Sequence, residues 1–400
     1  MNLNFSDRVQ RMSGTATREI LKLTANPEVI SFAGGLPASQ CLPVQEIAQI
    51  SQELLTSPDA TKILQYGTTQ GNYRFRESCV EYVKTFGIDN AAPEEILIVS
   101  GGQQGIDLAC RTFLNKGDTV LVESPTYLAF LQIAAAYEVN IIGVNSVDDG
   151  IDTADLEDKI KQYSPKLIYL VPTFSNPTGK TYPLEKRKQI AEITQKYNVI
   201  VIEDDPYSKL RFAGEEVPSI KSVGGDNIIF ITSFSKIVSP GLRIGLAAGS
   251  APIIQQMEKC KQGADVHTSH LSQAIVHEFL KRGLIKRQIE RVKPIYKSKK
   301  ELMEQALEKY MPQEFEFTRP EGGMFIWGEF KADIDTRALF PKAIERKAAY
   351  VYGDVFYPQN QGFNTLRLNF SNATPEQIDS GIKALGDMFK EEIAKNKKIK

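Results

Sequence analysis

The chain has 400 residues, of which 42% are hydrophobic, and this is enough for one large core or for two domains. Its 48 Lys and Arg residues nearly balance its 49 Asp and Glu residues, so the formal net charge is -1. A chain without a basic surplus is not expected to bind nucleic acid or an anionic membrane, and a small molecule is the better expectation for its ligand.

The cysteines and the N-terminus predict where the protein works. Four cysteines are scattered along the chain without a Cys-x-x-Cys pair, and they do not cluster with the three histidines. This spacing indicates free thiols in a reducing compartment and argues against a metal site. The first residues lack the apolar core of a signal peptide, and no apolar run is long enough to span a bilayer. We therefore expect a cytoplasmic protein without a membrane segment.

A series of strands is predicted in the middle of the chain. The first forty-odd residues contain no such series, and we expect them to lie over the site, with Gly34–Pro37 as a turn. Seven apolar runs rich in β-branched residues then follow at Ile96–Val99, Thr119–Val122, Ile141–Val144, Leu167–Val171, Val199–Ile202, Ile228–Ile231 and Ile244–Ala247. Strands that are apolar throughout and separated by helix-length segments predict a mostly parallel, seven-stranded, doubly wound α/β sheet.

The last third of the chain predicts a smaller α+β domain. A charged helical stretch near Lys286–Tyr310 precedes two strand-like runs, Met324–Trp327 and Thr365–Leu368. The capping-box spacing of Thr374–Gln377, with Pro at the first helical position, predicts a final helix through about Phe389. We expect an N-terminal segment at 1–45, a large domain at 46–285 and a small C-terminal domain at 286–400.

Three of the strand ends carry groups that suit an aromatic, anionic ligand, which in such sheets binds beyond the carboxyl ends of the strands. The glycines of Ser100–Gln104 allow backbone amides to face an anion, although glycines at such a place more often form only a tight turn. Tyr127 offers an aromatic face, or is part of the core. Asn176, held extended before a proline, can donate to a phenolate-type oxygen, unless it belongs to a plain Asn-Pro turn.

The next two strand ends add a carboxylate and an amine. Asp204 and Asp205 follow a buried strand, where a carboxylate can hold a proton on a pyridine nitrogen. Lys236 follows the sixth run, where burial and the nearby Arg243 should lower the pKa of its ammonium and let the neutral amine attack an aldehyde. The flanking serines and Arg243 suit a phosphate. An aldehyde that carries a phosphate describes pyridoxal phosphate, whereas a surface Ser/Lys turn is the alternative for this motif alone.

Seven motifs together resemble a known family over essentially the whole chain; they are Ile30–Pro37, Leu64–Gly67, Ser100–Gln104, Asn176–Gly179, Asp204–Tyr207, Ser233–Arg243 and Leu366–Leu368. The set resembles the class I/II aminotransferases of pyridoxal-phosphate fold type I, and within them the branch of 2-aminoadipate, kynurenine and related broad-range enzymes. The resemblance implies transfer of an amino group from a 2-amino acid, either acidic such as 2-aminoadipate or aromatic or branched, to 2-oxoglutarate.

The resemblance also implies roles at the ring of the cofactor. Lys236 would form the internal aldimine and then shuttle the proton between the substrate Cα and the cofactor. Asp204 would pair with the pyridinium nitrogen; we prefer it to Asp205 because the family spacing is Asp-x-x-Tyr. Asn176 and Tyr207 would hydrogen-bond the ring oxygen.

Further cofactor contacts follow from the same match. Tyr127 would stack on the ring. The phosphate would be held by Gly102, Gln103, Ser233, Ser235 and Arg243, and since several relatives have serine in place of Gly102, this chain would lack one hydroxyl contact. Tyr66 resembles a phosphate ligand donated by the partner subunit, which implies a homodimer with sites at the interface.

The substrate contacts implied by the resemblance lie at both ends of the chain. Arg367 would clamp the α-carboxylate, Asn176 would also contact the substrate, and Gly35 would let the N-terminal segment close over it. Arg18 matches an arginine that meets a distal carboxylate in some 2-aminoadipate aminotransferases, whereas by helix periodicity it is simply exposed.

Two other functions remain open at this stage. The same fold also supports carbon–sulfur β-lyases and decarboxylases, which differ in the bond that is broken. A non-enzymatic sensor, like the aminotransferase-like domain of some transcription regulators, would need a DNA-reading domain, and only about thirty residues precede Gly34. The preferred amino acid is not specified by the sequence.

Overall fold

The computed structural model describes residues 3–11, 26 and 28–399 of the chain. In these residues the helices are Asp7–Arg11 (α1), Val44–Leu55 (α2), Ala60–Ile63 (α3), Tyr73–Lys84 (α4), Gly102–Phe113 (α5), Leu128–Ala136 (α6), Thr153–Tyr163 (α7), Leu184–Lys196 (α8), Ile220–Val223 (α9), Ala251–Gln262 (α10), His270–Lys281 (α11), Leu284–Tyr310 (α12), Thr336–Glu345 (α13) and Pro375–Ile399 (α14). The strands are Ile30–Ser31 (β1), Ile96–Val99 (β2), Thr119–Ser124 (β3), Asn140–Val147 (β4), Gly150–Ile151 (β5), Leu167–Leu170 (β6), Ile200–Asp204 (β7), Ile228–Ser233 (β8), Gly245–Ala248 (β9), Phe315–Phe317 (β10), Phe325–Phe330 (β11), Ala348–Ala349 (β12), Val351–Tyr352 (β13) and Thr365–Asn369 (β14).

The large sheet has eight strands in the order β2-β9-β8-β7-β6-β3-β4-β5. Strands β3, β4, β6, β7 and β8 are parallel, whereas β9 runs antiparallel between β2 and β8. All seven predicted runs form strands of this sheet, and the predicted fold class is confirmed. The eighth strand, β5, has two residues and pairs antiparallel with β4, and a segment this short gives no periodic signal in the sequence.

Helices cover both faces of the large sheet, which explains why its strands are apolar throughout. Ile98 of β2 belongs to the buried cluster that contains Phe75 of α4. Its neighbour Leu97 points to the other face and belongs to the cluster that contains Ile106 of α5. The polar groups that follow the strands are therefore the ones free to form a site.

The smaller sheet is antiparallel, in the order β10-β11-β14-β13. The two predicted strands of this region are β11 and β14, and the predicted charged helix is α12. Strand β1 pairs in parallel with β12, which draws the segment after Ser31 towards β14. The domain boundaries at residues 45 and 285 stay predictions.

The final helix continues beyond Phe389, where the sequence predicts its end, to Ile399. Ile393 is only 6% exposed and extends the buried face of the helix by a further turn. Lys397 then pairs with Glu314 at 2.8 Å. Packing against the small sheet thus lengthens the helix. A membrane-crossing helix, which would have to be both long and apolar, does not occur among the residues described.

Candidate active site

A cavity of about 160 Å³ opens at the carboxyl ends of the central parallel strands. Ten of the residues predicted from the strand ends line it: Gly102, Gln103, Tyr127, Asn176, Asp204, Tyr207, Ser233, Ser235, Lys236 and Arg243. Ile106, Val171, Pro206 and Pro240, which the sequence does not single out, complete the wall. Residues far apart in the chain therefore converge on one concave site.

Lys236 lies at the end of a short 3₁₀ turn that follows β8 directly. Ser233 caps this turn, since its hydroxyl accepts from the backbone N–H of Ser235 at 3.1 Å. The Lys236 Nζ donates to the carbonyl oxygen of Gly35 at 2.7 Å. Burial, and then the positive charges of Arg367 and Arg243, lower the pKa of Lys236 to about 8. A substantial fraction of this amine is thus neutral near physiological pH.

Backbone and side-chain donors form an anion cradle at the start of α5. Gly101 has a φ of +85°, and a side chain there would collide with the guanidinium of Arg243. Helix α5 begins at Gly102, so its free backbone N–H groups and its positive dipole end face the cavity. Ser235 and Arg243 also line the cavity. This donor set fits a phosphate.

A polar network that the sequence analysis did not find holds this cradle. The carboxylate of Asp265 accepts from Lys261 at 2.6 Å, from the Gln104 amide at 2.7 Å and from the Ser100 hydroxyl at 3.1 Å. The Ser100 carbonyl in turn accepts from Arg243 at 3.0 Å. These contacts fix the loop before α5 relative to Arg243. Asp265 and Lys261 do not lie at the end of a strand, so a search of strand ends in the sequence does not identify them.

Asp204, on the cavity wall, pairs with the buried Tyr169 behind it. The Tyr169 hydroxyl donates to Asp204 Oδ2 at 2.7 Å, and its ring stacks on Phe130 at a centroid distance of 4.0 Å. Burial raises the pKa of Asp204 to about 7, and the bond from Tyr169 opposes this rise. Among the described residues, no cation pairs with Asp204. A tyrosine in the otherwise aliphatic strand β6 is the signal that could have revealed it, because a buried phenol needs a partner.

Replacing Tyr169 with phenylalanine should lower stability in a pH-dependent way. Between the unfolded pKa near 4 and the folded pKa of about 7, the native Asp204 holds a proton that the unfolded chain has lost, so stability falls as pH rises through this window. Without the Tyr169 donor the carboxylate is harder to charge. We expect Tyr169→Phe to lose up to about 1.4 kcal/mol more at pH 8 than at pH 5, as measured by urea unfolding of the cofactor-free protein.

The control for this experiment removes the titrating group. In an Asp204→Asn background, Tyr169→Phe should cost about the same at both pH values, because the amide carries no charge. A loss of stability in the Tyr169→Phe single variant that does not change between pH 5 and pH 8 would contradict the coupling.

Arg367, on β14, faces the cavity from the smaller sheet. Its Nη1 donates to the Asn176 Oδ1 at 2.6 Å and its Nη2 donates to the Ala33 carbonyl at 2.5 Å. The guanidinium lies against the rings of Phe325 and Phe356, and burial lowers its pKa to about 10. Its buried Nε finds no hydrogen-bond partner among the residues described. This forked cation with a free donor fits a carboxylate.

The aromatic residues of the site differ in their surroundings. Burial raises the pKa of Tyr127 to about 12 and also raises the pKa of Tyr207, so both phenols are neutral donors. Tyr207 contacts the Asn176 side chain and packs edge-on against Phe325 at 5.8 Å. Asp205 does not line the cavity: its Oδ1 accepts from the backbone N–H of Ser208 at 2.9 Å.

Besides Arg367, the predicted residues Tyr66 and Gly35 are described by the structure but do not line the cavity. Tyr66 is 81% exposed and touches His267 edge-on at 5.7 Å. Gly35 covers the site: a Cβ there would lie 3.2 Å from the Phe325 ring and 4.0 Å from Lys236 Nζ. Arg18 lies outside the described residues, so its position is not given. Within those residues, no group of three or more His, Cys, Asp or Glu could hold a metal ion.

Comparisons with known proteins cover nearly the whole chain. Residues 27–385 match the family model described as aminotransferase class I and II. The chain is 38% identical over 397 residues to aromatic-amino-acid aminotransferase 1 of Thermococcus litoralis, spanning 98% of this chain and 95% of that protein.

Two solved structures are similar over at least 97% of both chains. One is the kynurenine aminotransferase of Pyrococcus horikoshii in complex with PMP and kynurenine, with a TM-score of 0.93 and 39% identity. The other is LysN, the α-aminoadipate aminotransferase of Thermus thermophilus, complexed with N-(5'-phosphopyridoxyl)-L-leucine, with a TM-score of 0.90 and 35% identity.

Proposed function

Because the chain belongs to the class I and II aminotransferases, we propose that it transfers the amino group of a 2-amino acid to 2-oxoglutarate at the cavity around Lys236. It is a pyridoxal-phosphate-dependent enzyme of fold type I. The observation that carries the proposal for the site is Lys236, whose amine lines the cavity with a pKa lowered to about 8. Such an amine can attack an aldehyde and can also carry a proton.

The residues of the cavity fit pyridoxal phosphate at each of its polar groups. The anion cradle before α5 would hold the phosphate, with Ser235 and Arg243. Asp204, a buried carboxylate without a cation, would accept a hydrogen bond from the protonated ring nitrogen. Asn176 and Tyr207 would donate to the ring oxygen. When bound, the cofactor withdraws electrons from the substrate Cα and so makes its proton removable.

Lys236 is placed to take up the Cα proton and to return it. Its neutral form is favoured by burial and by two nearby guanidinium groups, so it can act as a base near pH 8. The bond to the Gly35 carbonyl keeps Nζ on the cavity side of the turn. Because the site is buried, bulk water has little access to the proton in transit.

Asp204 and Tyr169 would control the charge of the ring. The Tyr169 hydroxyl donates to Oδ2 of Asp204 at 2.7 Å, so Oδ1 of Asp204 would accept from the ring nitrogen. Pairing with a protonated nitrogen would compensate the burial that raises the pKa of Asp204. The carboxylate would thus stay charged while it holds the ring protonated.

Arg367 would bind the α-carboxylate of the substrate. Its Nε has no partner in the described part of the chain, and its Nη2 is held only by a backbone carbonyl. A carboxylate that approaches from the cavity could bind Nε and Nη2 together. The Asn176 side chain, bonded to Nη1 at 2.6 Å, would keep the guanidinium plane in place.

A panel of amino donors tests the proposed reaction. With 2-oxoglutarate as acceptor, we expect turnover of 2-aminoadipate and of aromatic or branched donors, and Arg18 would favour the acidic ones. Arg18→Gln should then lower kcat/KM for acidic donors by about tenfold and leave apolar donors unchanged. Arg8→Gln, on α1, is the matched loss of one positive charge.

Two outcomes of this panel would count against parts of the proposal. An unchanged ratio between acidic and apolar donors in Arg18→Gln would remove the role of Arg18. Release of pyruvate, ammonia or carbon dioxide without any 2-oxo acid would indicate a β-lyase or a decarboxylase in place of the transfer reaction.

We further propose that the enzyme is a cytoplasmic homodimer in which Tyr66 of each protomer completes the phosphate site of the other. The exposure of this phenol, 81%, and of the neighbouring Leu64, 68%, supports a contact surface at this position. The four free cysteines support a reducing compartment.

A further inference from the structure

A second cavity lies beside α4 and is separate from the cavity around Lys236. It has a volume of about 660 Å³ and lies between α4, the start of α12 and the segment 209–216. We call it the α12 cleft, and Tyr82, Thr85, Lys209, Leu280, Ile289 and Lys293 are among its lining residues. None of the residues that line it belongs to the wall of the Lys236 cavity. Its size is that of a small-molecule site.

Apolar side chains such as Leu280, Ile285 and Ile289 line part of the α12 cleft, together with Tyr82. Tyr82 is 6% exposed, and its ring packs against Phe86 at 5.3 Å and Phe234 at 5.1 Å. Its buried hydroxyl has no hydrogen-bond partner within the part of the chain that the structure describes. A buried hydroxyl without a partner is costly, so a ligand or water that accepts from it would be favoured.

A small hollow adjoins the cleft and shares Thr85, Lys209 and Glu216 with it. Two more buried polar atoms without partners in the described residues, Ser208 Oγ and Arg211 Nη2, belong to residues that line this hollow. Unsatisfied donors therefore concentrate along one side of α12. This concentration suits a ligand that carries hydrogen-bond acceptors.

The rim of the α12 cleft supplies positive charge. Lys286 and Lys293 line it and take part in no ion pair among the described residues, whereas Glu290, between them on the helix, can neutralise only one of the two. The Lys209 Nζ lies 4.3 Å from the centre of the Phe86 ring. It also lies 3.5 Å from a carboxylate oxygen of Glu216, whose side chain is 62% exposed. After these carboxylates are paired with lysines, the rim keeps an excess of positive charge, and the rest of the lining is largely apolar.

We propose that the α12 cleft binds a small organic monocarboxylate with an aromatic or branched apolar body. The apolar part would lie on Tyr82, Leu280 and Ile289, and the carboxylate would face Lys286 and Lys293. Since Tyr82 packs against Phe234, two residues before Lys236, Tyr82 would lie between the bound molecule and the turn that carries Lys236.

The experiment titrates the holoenzyme with 2-naphthoate, an aromatic monocarboxylate without an amino or oxo group, by isothermal titration calorimetry. We expect saturable binding with a Kd at or below about 1 mM. Lys286→Gln/Lys293→Gln should weaken it by about tenfold. The control Lys297→Gln/Lys309→Gln removes two lysines of the same helix outside the cleft and should leave the Kd unchanged.

Repeating the titration in an Arg367→Met background separates the α12 cleft from the Lys236 cavity, because binding in the cleft should persist there. The alcohol 2-naphthalenemethanol, which lacks the charge, should bind at least about tenfold more weakly. The proposal is overturned by absence of saturable binding, by equal affinity for the alcohol, or by binding that Arg367→Met abolishes and Lys286→Gln/Lys293→Gln does not change.

Discussion

Lys236→Ala should abolish turnover and, with it, the visible absorbance of the lysine-attached cofactor. In the proposed reaction this side chain has two tasks that no neighbour can take over, since it is the only amine on the cavity wall within the described residues. Loss of a base alone lowers rates by about 10²–10⁴-fold, and we expect at least the upper end of that range. Stopped-assay turnover with 2-oxoglutarate and an absorbance spectrum of the purified variant measure the two effects.

A second lysine serves as the control for this variant. Burial also lowers the pKa of Lys221, whose Nζ donates to the Gly225 carbonyl at 3.2 Å, but Lys221 does not line the cavity. Lys221→Ala should therefore keep both the absorbance and the turnover. If the Lys236→Ala protein kept the visible absorbance, another lysine would have to carry the cofactor, and the assignment of the site would be wrong.

Asp204→Ala should lower kcat by about 10²–10³-fold, the effect of removing one well-placed electrostatic group from a reaction centre. The carboxylate lines the cavity, is buried and already receives a hydrogen bond from Tyr169. Without it nothing on this wall keeps the ring nitrogen protonated. Steady-state kinetics under saturating cofactor separates this loss from weaker cofactor binding.

The adjacent carboxylate provides a matched control for Asp204. Asp205 is equally buried but points to the N–H of Ser208, so Asp205→Ala should reduce thermal stability and leave kcat within about tenfold. N-methylated pyridoxal phosphate, whose ring nitrogen is positive without a proton, should restore part of the activity of Asp204→Ala. A larger kcat loss in Asp205→Ala than in Asp204→Ala would reverse the two roles.

The sequence predicts the large sheet well because its signal is local. Each of the seven runs is four or five apolar residues between helix-length segments, and burial on both faces leaves no alternation to misread. Strand β5 and the β1–β12 pair have two residues each, which is too short for any pattern. The end of α14 depends on packing against Glu314 and the small sheet, which is tertiary information.

Ten members of the cavity wall could be predicted because each lies at the end of a strand or in the segment that follows it. Tyr169 and Asp265 could not be predicted in this way. Tyr169 lies inside a strand and Asp265 lies before α11, so their roles follow only from the residues that they contact in space. The bond between Arg367 and Asn176 joins residues 191 positions apart. Spacing along a chain carries no information on such a contact.

Two backbone carbonyls of the N-terminal segment accept hydrogen bonds from side chains that the proposed ligands would also use. The Gly35 oxygen accepts from Lys236 at 2.7 Å, and the Ala33 oxygen accepts from Arg367 at 2.5 Å. In the proposed site, an incoming α-carboxylate would have to displace the Ala33 carbonyl from Arg367, so its measured affinity would be a difference between two occupants of the same donor. Any change that loosens this segment could thus tighten substrate binding without adding a single new contact.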